Sequence, residues 1–297
     1  MPARAVTAAC LSGGGVHGVD RRRRRVPRRV ARREPVVTGR VSCPQPRLWD
    51  GIRSEWTKLR TVRATLWSLL AAAGLCLGTA ALVARSPNVP PGTAVGADDA
   101  VRVALAGFLF GQIAVGVLAA LAVTSEYGSG AIRSSLAAVP SRLRFLLSKA
   151  AAVAGTVLVC GVLLSGLSYL VAHVVMTSRA ARVAALSAGS VRALLGAALY
   201  LTVLSLFTVA LGVLLRHSAG AITTVICLVL ILPTLLPAFG RTGQAIYRWW
   251  PTEAGQQVMR VEPVPGQLTP WVGFGWCCVV TAALLAVAYL VLRRRDA

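Results

Sequence analysis

Six long apolar runs divide the chain from residue 66 onward: Leu66–Ala84, Val101–Val123, Ala150–Met176, Val191–Leu215, Gly220–Phe239 and Trp271–Leu292. Each is close to or above the ~20 residues that a helix needs to cross the hydrocarbon core of a bilayer. The pattern therefore predicts an all-α integral membrane protein with six transmembrane helices. The third run is the longest, so its helix has to tilt or protrude. Pro233 and Pro237 interrupt the end of the fifth, where a kink or local unwinding is expected. Before the first run the period shortens. Leu48, Ile52, Trp56 and Leu59 recur every three or four residues, with Arg53, Lys58, Arg60 and Arg63 between them. That spacing makes an amphipathic helix with a basic face, suited to the headgroup layer. A plain lead-in to the first span fits the same residues. The chain thus divides into 1–46, an extension poor in large apolar residues; 47–65, the amphipathic helix; 66–292, the six spans; and 293–297, a basic tail.

Between the second and third runs lies the stretch Thr124–Lys149, which carries Glu126, Arg133, Arg142, Arg144 and Lys149 and so belongs in water. Within it Ser129 can cap a short helix with Ile132 and Leu136 on one face, ended by Pro140. Ser141 can cap the helix that leads into the third span. The segment Gly240–Pro270 mixes Ile246, Tyr247, Trp249, Trp250, Val258 and Met259 with Arg248, Glu253 and Gln256. Tyr and Trp collect at bilayer interfaces, so a short re-entrant or surface helix and an ordinary loop with interfacial anchors both suit it.

Charge sets the orientation. With both termini cytoplasmic, the inner segments hold 24 of the 32 Lys and Arg residues and the outer segments hold 8. The connection around Arg179 and Arg182 is the weak point, basic where few cations are expected. Composition agrees with several spans, at 56% hydrophobic and 14% charged. A net charge of +22 would suggest nucleic acid in a soluble protein, but half of the cations precede Leu66 and most others flank apolar runs. That distribution follows membrane topology, so nucleic acid is not an expected partner. The run Arg21–Arg25 and the arginines after it read as a disordered tail drawn to anionic lipid. No apolar segment follows as in a signal peptide. A nucleic-acid-binding arm and a translation start placed too early are the other readings. Five of the seven cysteines lie inside apolar runs and none forms a CxxC pair, so neither a metal site nor a disulfide framework is expected.

The chemistry that is missing narrows the function. A phosphate-cradling loop needs Gly-Lys before Ser or Thr, and the chain's two lysines follow Thr57 and Ser148. No HExxH, GxSxG or paired-carboxylate arrangement occurs either. The chain is therefore not expected to be an enzyme, and it has no cofactor of its own. The spans hold no acid in their interiors, unlike an ion-coupled transporter, which keeps relay carboxylates there. Gln112 and His173 are their most polar residues. Gln112 is a candidate for a translocation path, with an interhelical hydrogen bond as the simpler reading, and His173 reads as a packing residue. Gly74–Gly78 and Gly107–Gly111 have the GxxxG spacing that permits close helix approach, inside the bundle or between copies.

Three groups of residues resemble a known family. Ser54-Glu55-Trp56-Thr57-Lys58-Leu59-Arg60 before the first span is similar to the start of bacterial ABC transporter permeases of the type-two exporter class. Ser125-Glu126-Tyr127, Gly130, Ile132-Arg133, Pro140, Arg142 and Lys149 resemble the loop after the second span, and Arg293-Arg294-Arg295-Asp296 resembles the end. The resemblance covers about Leu48 to Ala297. It implies a transmembrane half that pairs with a second permease half, the same chain or a different one, and with separate ATPase subunits that bind ATP and Mg. It also implies that Glu55, Trp56, Lys58, Arg60, Glu126, Tyr127, Ile132, Arg133, Pro140 and Arg142 form the surface that couples to the ATPase. The expectation is a permease in the inner (plasma) membrane, surrounded by lipid and exporting an apolar or amphipathic compound. A secondary transporter and a non-transporting membrane anchor or assembly protein are the alternatives.

Overall fold

In a computed structural model of the chain, residues 48–85, 94–95, 97–128, 130, 141–177, 182–183 and 186–294 are described. The extension 1–46 and the helix expected between Ser129 and Pro140 lie outside them. Among the described residues six helices are long and apolar enough to cross a membrane, and they coincide with the six apolar runs. A helix α1 (Leu48–Thr61) comes first, and a single non-helical residue, Val62, separates it from α2 (Arg63–Ala84), the first span. α3 (Ala97–Leu105) and α4 (Phe108–Gly128) make the second span, α5 (Arg142–Thr177) the third and α6 (Ala188–Leu215) the fourth. β1 (Ala94–Val95) and β2 (Arg182–Val183) pair in parallel, with Ala94 opposite Arg182, and so join the connections that follow α2 and α5.

α6 is the centre of the bundle. In its most apolar stretch 72% of residues are buried, against 17% in α2, and it packs on α3, α4, α5 and the last helix. Tyr200, Leu201 and Leu204 of α6 meet Phe108, Leu118 and Val123 of α4 in one continuous core.

The second span is not the uninterrupted helix that its apolar run suggests. It breaks at Ala106–Gly107, because the backbone there lies directly against α2: a Cβ on Gly107 would stand 2.7 Å from Cys76 Cα. Gly111 meets the Cys76 thiol one turn later. The pair Gly107–Gly111 therefore closes a contact inside the chain, whereas Gly74–Gly78 faces open space. The third helix begins at Arg142, well before its apolar run. As expected, Ser141 caps it, accepting from the Arg144 N–H at 3.4 Å.

The fifth span departs furthest from a straight helix. α7 (Ser218–Ile226) widens into a π turn at Cys227–Ile231, continues as α8 (Leu232–Leu235), and tightens to a 3-10 turn at Leu236–Phe239. Proline is the cause. In the widened ladder Leu232 N–H reaches back to Cys227 O, so Leu228 O would need the N–H of residue 233, which Pro233 lacks. Trp250 Nε1 fills that gap, donating to Leu228 O at 2.8 Å. Gly240 then turns the chain at a φ of 65°, where a side chain would be strained.

α9 (Gly240–Trp249) and α10 (Pro251–Gln256) follow, then the last span, α11 (Pro270–Arg294). Residues 240–259 are helical rather than an ordinary loop, and part of the segment packs into the bundle, which neither a surface helix nor a loop would do. Thr252, Ala254, Gln257 and Val258 are buried between α6 and α11. Glycines make room on every side: Gly196 of α6 faces the Val258 backbone, Gly273 of α11 faces the Ala254 backbone, and Gly255 faces Tyr200 and Cys277.

This packing makes a paired prediction. Gly273→Ala pushes a methyl into the Ala254 backbone and should destabilise by about 1–3 kcal/mol. Gly275→Ala, two residues on with nothing within 4 Å, should be neutral or stabilising by up to about 1 kcal/mol. Thermal unfolding of the purified variants in detergent separates the two.

Candidate functional site

The chain has two lysines among its 32 cationic residues, and both belong to one cluster. Lys149 lies near the start of α5 and is 2% exposed. Its Nζ donates to Glu55 Oε2 at 2.7 Å and to Ala122 O at 3.1 Å, and it stands 3.0 Å from Glu126 Oε1. Two hydrogen bonds and a second carboxylate at ion-pair distance thus surround the buried ammonium. Lys58, half-exposed, bridges the same two carboxylates from outside, 2.6 Å from Glu55 Oε1 and 2.9 Å from Glu126 Oε1. Two carboxylates and two ammoniums balance, which is the condition under which charge tolerates burial.

Each member is placed by its helix. Ile52, Glu55 and Leu59 share the inward face of α1 at spacings of three and four. Gly51 lets that face approach α5, where a Cβ would meet Ser148 Cβ at 3.0 Å. Glu126 sits in the last turn of α4 and Lys149 in the third turn of α5. The network therefore pins α1 to the ends of the second and third spans. Burial alone would raise the Glu55 carboxyl, but Lys149 and then Lys58 outweigh it and hold it below its ordinary value. Burial likewise opposes the charge on Lys58, yet its hydrogen bonds to Glu55 and Glu126 leave it raised. A cavity of about 170 Å³ borders the cluster, floored by Leu59, Leu118 and Leu121. It is below the ~300 Å³ at which ligand pockets begin, so it reads as a packing gap.

Two arginines complete this end of the bundle. Arg142 Nη1 donates to Leu292 O at 2.5 Å and to Arg293 O at 3.0 Å, capping the carbonyl end of α11. Arg216, the non-glycine residue with positive φ (56°) among those described, closes α6 and lays its guanidinium 5.5 Å from the Tyr127 ring centroid. The connection between the fourth and fifth spans is thus only Arg216–His217.

The residues expected to form a coupling surface fall into three groups. Glu55, Lys58 and Glu126 come together and pair their charges within the chain, with Glu126 Oε2 left buried and without a hydrogen-bond partner among the described residues. Tyr127 and Arg142 are also engaged internally. Trp56 and Arg60 are exposed on α1. Ile132, Arg133 and Pro140 lie outside the described residues. Gln112 is buried at the far end of α4 and accepts from the Tyr200 hydroxyl at 2.8 Å, the interhelical hydrogen bond that was its simpler reading. Lys149 and Arg216 were missed as site residues. A signal for Lys149 existed: in a chain that otherwise uses arginine, its second lysine stands at the mouth of a long apolar run.

A protein-family model described as "ABC-2 family transporter protein" matches residues 51–234. No curated protein matches the chain.

Lys149→Met leaves Glu55 and Glu126 buried with only Lys58 against them, and should cost about 3–5 kcal/mol. Lys149→Met with Glu55→Gln should recover part of that loss, and thermal unfolding of the two variants measures the difference. The network also fixes a pH window. Glu55 stabilises above its unfolded value of 4.5 and stops doing so as pH falls through its lowered folded value. Lys58 stabilises below 10.5 and stops as pH rises through its raised folded value. A spin-label pair at Arg53→Cys and Leu147→Cys, with the native cysteines replaced, should keep one distance between these limits and broaden below pH 4.5.

Proposed function

The chain belongs to the ABC-2 family of transporter proteins, a multi-pass membrane permease with six helices of spanning length, and we propose that it is the transmembrane half of an exporter driven by a separate ATPase. The substrate class proposed is an apolar or amphipathic compound. The second half is another copy or a related chain, and the membrane is the plasma membrane with both termini inside. The ATPase is proposed to seat on the end of the bundle that carries α1, touching Trp56 and Arg60 and the stretch 129–140 with Ile132, Arg133 and Pro140.

One observation carries the reading: α1 is tied by a buried, neutral ion network to the ends of α4 and α5. A displacement applied to α1 or to the adjoining polar loop is therefore passed to two spans as a rigid-body motion. The sequence supplies no nucleotide-binding loop, so the work has to come from a partner. The spans carry no acid in their interiors to serve an ion-coupled mechanism.

Co-purification with a co-expressed ABC ATPase subunit tests this. Trp56→Ala with Arg60→Glu, and separately Arg133→Glu, should weaken the complex at least tenfold while thermal unfolding of the permease is unchanged. Charge reversal at Glu126 is the less clean test, because it breaks the internal network as well. Transport by the chain in liposomes without any ATPase would overturn the proposal.

A further inference from the structure

The end of the bundle opposite α1 holds a cavity of about 340 Å³, between α3 and the chain leaving α10. This is within the range of about 300–1,000 Å³ occupied by small-molecule sites. Arg102 of α3 and Arg260 stand on its lining with Glu262, Leu105 and Met259 supply apolar wall, and Gln256 supplies an amide. Charge counting expects few cations at this end, and Arg102, Arg192 and Arg260 are among the exceptions.

Arg192 has a structural role. Its Nη2 donates to Arg260 O at 3.0 Å and to Val261 O at 2.8 Å, so α6 fixes the backbone of the cavity wall. Arg102 meets Asp99 at 3.3 Å, but both side chains are mostly exposed. Such a pair is worth little and yields readily to a bound anion. The polar side of the cavity continues inward. Gln256 Nε2 donates to the Tyr200 hydroxyl at 3.4 Å, and that hydroxyl donates to Gln112 Oε1 at 2.8 Å. Gln112 Nε2 ends this chain, buried and without a hydrogen-bond partner among the described residues. A buried amide left open is unfavourable unless something polar reaches it.

Two guanidinium forks beside an apolar wall are the complement of a molecule with an anionic head on an apolar body. The forks bind a carboxylate or phosphate in a bidentate, planar geometry, and Leu105 and Met259 cover the first carbons of the body. Glu262 lowers the net positive charge of the lining, which suits a singly charged head. We propose that this cavity binds the carboxylate or phosphodiester head of an amphipath. The site is at the end opposite the proposed ATPase contact and does not depend on it.

The test uses the purified full-length chain in uncharged detergent, with no nucleotide and no partner, so its outcome is separate from that of the transport reading. The probe is spin-labelled palmitate, compared with its methyl ester. Palmitate should bind at least tenfold more tightly than the ester. Arg102→Gln and Arg260→Gln should each remove about tenfold of that affinity and leave ester binding unchanged, Arg102→Lys should restore part of it, and Arg241→Gln, in a different groove, should change nothing. Competition by phosphatidylglycerol but not by phosphatidylcholine assigns the site to a membrane lipid. Competition by octanoate alone assigns it to a free amphipath. Equal binding of acid and ester, or an effect of Arg241→Gln as large as that of Arg102→Gln, overturns the proposal.

Discussion

An ammonium held by two carboxylates and a backbone carbonyl sets the geometry of one whole end of this protein. Lys149 is deeply buried, donates to Glu55 and to Ala122 O, and pairs its charge with Glu126 at 3.0 Å. The geometry also explains why this position is lysine in a chain rich in arginine. A compact tetrahedral head can reach acceptors on two helices at once, Glu55 on α1 and Glu126 with Ala122 O on α4, whereas a planar fork directs its donors into one plane. The interaction joins residues 94 apart in sequence. Without it α1 would keep the half-exposed Lys58–Glu126 pair, Ile52, Leu59 and the close approach of Gly51 against the spans.

The rest of that end follows from the same logic. Helices stop there with orphan carbonyls: the Arg142 guanidinium takes those at the end of α11, and the backbone N–H of Arg216, in the left-handed region, takes Gly212 O at the end of α6. The opposite end is built differently. There Asp98 accepts from Ser187 and Ser190 at the start of α6, and glycines let the 251–259 segment sink between α6 and α11. One end is organised by charge, the other by small residues and hydrogen-bonding aromatics such as Trp250 and Trp276.

The spans were legible because crossing a bilayer imposes a length and an apolarity that sequence displays directly. The cap at Ser141 was legible because capping is local. The break at Ala106–Gly107 was not, since its cause is Cys76, 30 residues earlier in sequence and on another helix. The kink in the fifth span was foreseeable from Pro233, but its form depended on Trp250 arriving to take Leu228 O. At the candidate site Glu55, Lys58 and Glu126 stand out in the sequence, but that they meet one another does not. Glu55 and Glu126 point inward, and the partner that turns them inward is a lysine whose position along the chain gives no hint of which acids it meets. Trp56 shows the converse. Its spacing places it with Ile52 and Leu59, yet it is exposed while the acid one residue earlier is buried.

These differences in how the two ends are held decide where the molecule yields under load. Separating α1 from α4 and α5 means pulling apart a buried ion network, about 3–5 kcal/mol for the loss of one partner. Shifting the fifth span at its π turn means losing one neutral hydrogen bond, from Trp250 to Leu228 O, about 0.5–1.5 kcal/mol. The span is already out of register there, and its solvent- or lipid-facing exposure leaves few contacts to break. The charged junction of α1 with α4 and α5 therefore costs more to open than the fifth span costs to bend at its π turn.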